Sequence, residues 1–221
     1  MFPEFDYSTA KNAIILVANG RIDNYPLIAS LIPENSPLIA VDGGLYHCYR
    51  MKLTPDYLIG DLDSVSLELI AKFPNLEIHR TPFQEQFDLE KAMQFSKVIE
   101  AKQIRVFGAL GARIDHTLAN ILLLSRHPCR VFFETEREIL FAISRQVSLS
   151  VQIGQTLSLI PLNGPVEIST QGLKWNLRES TLDKEFIGLS NICLEKKVAI
   201  DVQRGNLLVC LQKDENPDQD R

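Results

Sequence analysis

No two of the four cysteines, Cys48, Cys129, Cys193 and Cys210, stand at metal-ligand spacing. That excludes a cysteine zinc site of the usual kind. They sit among apolar residues and are read as reduced core thiols. No apolar run approaches the ~18 residues of a membrane span. Met1 to Asn12 holds no charged segment followed by an apolar one, so no signal peptide is expected. Basic charge is not in excess: 23 Lys+Arg stand against 28 Asp+Glu, for a net charge of -5. A nucleic-acid binder shows a basic face, so no nucleic-acid partner is expected. Two phosphate signatures are also missing. There is no G-x-x-x-x-G-K-[ST], and no G-x-G-x-x-G follows the first strand. The expectation is a cytoplasmic chain with no membrane partner.

What is present alternates. Short apolar runs at Ala13–Ala18, Leu38–Val41, Tyr57–Ile59, Leu76–Ile78, Ile104–Phe107 and Val131–Phe133 do not alternate with polar residues. They predict buried parallel strands. Asn19-Gly20, Asp42-Gly43-Gly44 and Gly108 close three of them. Between strands, Leu89, Ala92, Phe95, Val98 and Ile99 recur at helical spacing after Asp88, and Leu118, Ile121, Leu122 and Ser125 follow Asp115. Either aspartate suits a helix N-cap. Strand-helix alternation predicts an open parallel α/β sheet. After about Ser144 the texture becomes period two: Val147, Leu149, Val151 and Ile153, then Leu157 and Leu159, then Val198, Ile200 and Val202, then Leu207, Val209 and Leu211. With Gly-Asn, Asn-Gly and Gln-Gly turns, this predicts antiparallel sheet. The fold class is therefore α/β, an N-terminal parallel-sheet domain over residues 1–145 followed by an all-β domain over 146–212. A polar tail over 213–221 is expected to be disordered.

In Tyr57-Leu58-Ile59-Gly60-Asp61-Leu62-Asp63-Ser64 an apolar run ends at a glycine and two aspartates follow one residue apart. In an extended backbone both carboxylates point the same way. Two such groups repel, and a cation between them keeps both ionised. Oxygen ligands shared with phosphate suit Mg2+. The plain alternative is that Asp and Ser here only make a turn. The rest of the chain favours the metal. Every loop expected at the ligand side of the sheet carries an acid: Asp42, Asp61, Asp63, Asp88 and Asp115. Ligands in such sheets bind beyond the carboxyl ends of the strands.

Among cations, Arg113 is the best candidate for a bidentate phosphate clamp, and Arg21 the second. Lys91 is read as a solvated surface lysine. His116 suits either a phosphate or adenine contact or a structural role. In the β domain, Trp175 follows Gly172-Leu173-Lys174; an exposed ring there would stack on a flat cationic heteroaromatic, against the ordinary reading of a core tryptophan. Gly188-Leu189-Ser190-Asn191 is a second loop of small polar residues.

Taken in order, Asp42-Gly43-Gly44, Pro55 to Ser64, Gln84 to Lys91, Gly111 to Asn120, Trp175 and Gly188-Leu189-Ser190-Asn191 resemble the thiamine pyrophosphokinase family. The resemblance covers nearly the whole chain. It implies an α/β domain for ATP, a β-sandwich for thiamine, and a homodimer with the active site between the α/β domain of one subunit and the β domain of the other. It implies transfer of pyrophosphate from ATP, the co-substrate, to thiamine with release of AMP, and Mg2+ as cofactor. By position, Asp61, Asp63 and Asp88 are similar to the metal and phosphate acids, with Asp42 and Asp115 part of the same catalytic rim. Gln84, Arg113, His116 and Asn120 resemble the ATP contacts. Trp175, Ser190 and Asn191 resemble the thiamine contacts. Four positions depart from the family pattern. Phe87 replaces a threonine before Asp88, Ala112 a glycine before Arg113, Leu62 a phenylalanine between Asp61 and Asp63, and Leu189 a threonine before Ser190. None removes a carboxylate; Phe87 removes a hydroxyl beside Asp88. Two other readings stand beside this one: a phosphatase of the haloacid-dehalogenase type, whose strand-D-x-D motif Asp61 and Asp63 mimic, and a non-catalytic thiamine-binding module. A pyrophosphokinase acting on a pterin is a further relative of the same chemistry, against which Trp175 and Ser190-Asn191 favour thiamine.

Overall fold

The computed structural model describes residues 4, 5, 7, 13–81, 86–98 and 101–213. Along the chain the elements are β1 (Glu4–Phe5), β2 (Ile14–Val17), α1 (Tyr25–Leu31), β3 (Leu38–Val41), α2 (Gly44–Met51), β4 (Tyr57–Gly60), α3 (Leu67–Ile70), β5 (Glu77–Arg80), α4 (Asp88–Val98), β6 (Ile104–Phe107) and α5 (Ile114–Leu124). They continue as β7 (Val131–Glu134), β8 (Glu138–Ile143), β9 (Val147–Ser150), β10 (Thr156–Gln171), β11 (Ser180–Leu182), β12 (Gly188–Ile192) and β13 (Lys197–Gln212). The chain divides into two compact units. One holds residues 10–120 and 133–136; the other holds 1–9, 121–132 and 137–221.

In the first unit β2 pairs in parallel with β3 and β6, β3 with β4, and β4 with β5. β2, β3 and β6 are buried at all their residues, as their unbroken apolar runs require. β5 stands at the edge and is mostly exposed, which is why its run is the weakest in the sequence. One face of this sheet is covered by Leu45, Cys48 and Met51 of α2 and by Ile28 of α1, packed with Ile15, Val17 and Ala40. Asn24 caps α1, its side chain accepting from the Leu27 amide.

In the second unit the strands are mainly antiparallel. β13 pairs with β10 along most of its length; its first half also pairs with β9 and its second half with β8. β10 pairs with β11 and β12 as well. Two long strands thus change neighbours midway, and between them lies a core of Phe141, Leu149, Leu157, Leu159, Val198, Ile200 and Val209. This is how 16-residue strands serve a sandwich. The expected turns at Asn163-Gly164 and Gly205-Asn206 are not reversals. Both lie inside strands, and the register shifts between Leu162 and Glu167 opposite them. They bend the strands instead of ending them. Gly205 sits at φ 96°, where a Cβ would stand 2.8 Å from the Pro165 carbonyl oxygen.

Candidate active site

Three carboxylates meet at the carboxyl ends of the parallel strands. Asp42 follows β3, Asp61 follows β4, and Asp88 opens α4; one oxygen of each lies within 4.8 Å of the others. Asp42 is fixed from both sides. Its amide donates to the Ile59 carbonyl at 2.8 Å, and its Oδ2 accepts from the Ser64 hydroxyl. Its Oδ1 is buried without a hydrogen-bond partner. The glycines after Asp42 allow the tight packing there: a Cβ on Gly44 would stand 1.9 Å from the Val17 carbonyl oxygen.

Asp63 is not in this group. Leu62 has φ 70°, and the Asp63 amide donates to Asp61 Oδ1 at 3.1 Å. The segment closes a side-chain turn there and does not run extended, so the argument from strand alternation does not apply past Gly60. Asp115 also lies elsewhere. It accepts twice from the Arg113 guanidinium, at 3.1 and 2.5 Å, and from the His116 amide. The guanidinium holds its carboxyl down at about 2. Arg113, Asp115 and His116 are exposed. Asn120 is buried, and its amide donates to the Ala109 carbonyl, which steadies the loop after β6. Gln84 lies outside the described residues, as do 214–221.

Lys91 corrects the surface reading given above. It is only 8% exposed, and its ammonium donates to Asp88 Oδ1 at 3.0 Å. The i, i+3 spacing stacks the two side chains on one face of α4. Burial, first, and then the nearby Asp42 and Asp61 push the Asp88 carboxyl up; Lys91 opposes this. The spacing of Asp88 and Lys91 was the signal for this pair. Ser64 was the other participant without a role in the sequence reading.

Beside the group, the Asn19-Gly20 loop is held by the helix that follows Asp42. His47 Nε2 bonds the Gly20 carbonyl at 2.8 Å, and its Nδ1 faces the Tyr25 hydroxyl at 3.0 Å. A carbonyl only accepts, so Nε2 carries the proton. The Gly20 amide in turn donates to the Gly108 carbonyl at 2.7 Å.

In the β unit Trp175 is 55% exposed, with the Lys174 ammonium 4.6 Å from its ring centroid. Asn191 is buried and serves that loop. Its Oδ1 accepts from the Trp175 amide and its Nδ2 donates to the Trp175 carbonyl. Ser190 is exposed at φ 53°, its amide held by Ser158 Oγ.

Two family models match this chain. The thiamin pyrophosphokinase catalytic domain matches residues 28–133, and the thiamin pyrophosphokinase vitamin B1 binding domain matches residues 144–207. Together they span most of the sequence. The chain belongs to the thiamine pyrophosphokinase family. Among relatives, thiamine pyrophosphokinase 1 of Oryza sativa subsp. japonica is 28% identical over 231 residues, covering 90% of this chain and 86% of its own. Thiamine pyrophosphokinase 1 of Arabidopsis thaliana is 25% identical over 236 residues, covering 91% and 86%. Of solved structures, thiamine pyrophosphokinase from Bacillus subtilis superposes with a TM-score of 0.81 at 21% identity, over 92% of this chain and all of that one (100%). Thiamin pyrophosphokinase from Candida albicans gives 0.81 at 20%, covering 92% and 90%. At that identity the structural likeness shows the thiamine pyrophosphokinase fold: a parallel α/β part followed by a strand-rich one.

Proposed function

We propose that this protein moves the pyrophosphate group of ATP onto the hydroxyl of thiamine, giving thiamine diphosphate and AMP. Family membership supports the reaction, and the convergence of Asp42, Asp61 and Asp88 at the strand ends carries the chemistry. The hydroxyl oxygen bonds to the β-phosphorus, the bond from that phosphorus to the α,β-bridging oxygen breaks, and AMP leaves with the oxygen. The hydroxyl proton passes to a carboxylate of the site. Such transfer is mostly positioning and charge neutralisation.

The residues fit a magnesium ion. Three carboxylates lie within reach of one point, and one of their oxygens is buried with no donor. Asp42, Asp61 and Asp88 would hold the ion, which would neutralise charge on the transferred phosphates. Asp63 joins the reading as an exposed carboxylate of the same turn. Arg113, drawn forward from Asp115, meets phosphate, with His116, Gln84 and Asn120 around the nucleotide. The exposed Trp175 face takes the cationic ring of thiamine, Ser190 borders it, and Asn191 holds the tryptophan loop in place. We assign ATP to the α/β unit and thiamine to the β unit. The active protein is a homodimer that pairs the α/β unit of one subunit with the β unit of its partner. We place it in the cytoplasm, which the four free cysteines support.

The phosphatase reading loses its support here. Asp61 follows the third parallel strand of its unit, whereas that motif normally follows the first. The deciding test is AMP release from ATP and Mg2+ by purified protein, with and without thiamine. AMP that appears only with thiamine and disappears with EDTA is expected. Inorganic phosphate released without thiamine would overturn the reading.

A further inference from the structure

Three carboxylates share one small volume, and one more charge belongs to it. Lys91 is buried to within 8% of its surface, one turn into α4, and its ammonium bonds Asp88 Oδ1 at 3.0 Å. A lysine is almost never buried unless paired. Carboxylates this close repel one another and favour a cation among them. Within the described residues, no arginine is bonded to Asp42, Asp61 or Asp88; Arg113 is committed to Asp115 and Arg21 to Asp23.

We propose that Lys91 is the resident counter-cation of the acidic site, keeping Asp88 in place and the three acids together before any metal arrives. Its bond engages Asp88 Oδ1, and a carboxylate has room for a further cation shared with Asp42 and Asp61. Lysine and metal then share the neutralisation of one cluster of charge. Each matters more when the other is missing. A lysine buried only for its hydrocarbon stem would behave differently. Methionine would replace it well, arginine badly, and neither result would depend on metal.

The experiment compares thermal unfolding of the wild type, K91M and K91R, each with EDTA and with saturating Mg2+. In EDTA, K91M is expected to melt a few degrees below the wild type, as leaving the half-buried Asp88 without its cation should do in a chain of this size. K91R is expected to recover most of that loss. D61N, which removes one repelling acid, is expected to soften the effect of K91M when the two are combined. Added Mg2+ is expected to raise the melting point of K91M more than that of the wild type. A K91M protein as stable in EDTA as the wild type would overturn the proposal, as would a loss unaffected by D61N. The magnesium arm rests on the proposed function. A wild-type melting point that Mg2+ does not move would count against the metal reading, while the EDTA arm would still decide Lys91.

Discussion

His47 carries its proton on Nε2 and presents a bare Nδ1 to Tyr25. Burial, the largest cause, lowers its pKa, and Arg50 acts in the same direction against the opposing Gly20 bond. The unfolded chain takes up a proton below about 6.5, but the folded protein resists it. Stability from this residue is therefore complete above that value and falls as pH drops toward the lower folded-state value. Melting points measured from pH 7.5 to 5 should decline, and the decline should be shallower by a few degrees in H47Q, which keeps a donor for Gly20. At the reacting end, Asp61 is exposed and does little for packing. Asp61→Asn should cut turnover about a hundredfold or more while the circular dichroism spectrum stays unchanged. Near-normal turnover would remove Asp61 from the metal group. Trp175→Ala should raise KM for thiamine about tenfold and leave KM for ATP alone, if the ring contributes stacking of the usual strength. An equal change in both constants would argue for a general loss of structure.

Among the elements, β10 and β13 bear the most on the β unit. Gly205 lies at φ 96° in the bend of β13. Alanine there is strained and meets the Pro165 carbonyl, so Gly205→Ala should cost about 1–3 kcal/mol in urea unfolding. A neutral result would mean that the bend relaxes freely. This bend also marks where the sequence stops being readable. The inner parallel strands were legible because they are buried on both faces and their apolar runs are unbroken; β5, at the exposed edge, has only a weak run. The β unit was legible by its period of two. Asn163-Gly164 and Gly205-Asn206 look locally like hairpin turns, and only the pairing of two long strands makes them bends. β8 carries the same unbroken buried run, Ile139 to Ile143, but pairs antiparallel with β13, so a continuous apolar run marks a strand buried on both faces and not its direction. At the site, the aspartates were legible as residues at strand ends. Their convergence was expected too, but not which of them meet: Asp63 leaves the group because the backbone turns at Leu62. The burial of Lys91 was hidden for a related reason: spacing gives its partner on the helix but not the depth of the helix face.

For the molecule as a whole, the proposal that one active site draws on two subunits has a direct consequence. D61N lies in the α/β unit and W175A in the β unit. Each variant alone should be impaired, but dimers mixed from both hold one intact site of two. At thiamine well below KM, random exchange should restore about a quarter of the wild-type rate, since half the dimers are mixed and half their sites are intact. Mixing that restores nothing, with exchange verified by mass, would place both groups in the same subunit's site.

The pairing of β13 also says when this protein can be finished. That strand joins β8, β9 and β10, which are made long before it. While the ribosome works through residues 137–196, these earlier strands wait with open edges and uncovered apolar faces. The parallel unit has all of its residues by 136 and can settle first. A nascent chain stalled before Lys197 would thus carry a formed parallel unit and an unclosed, sticky second unit. That interval is when this protein most needs a chaperone.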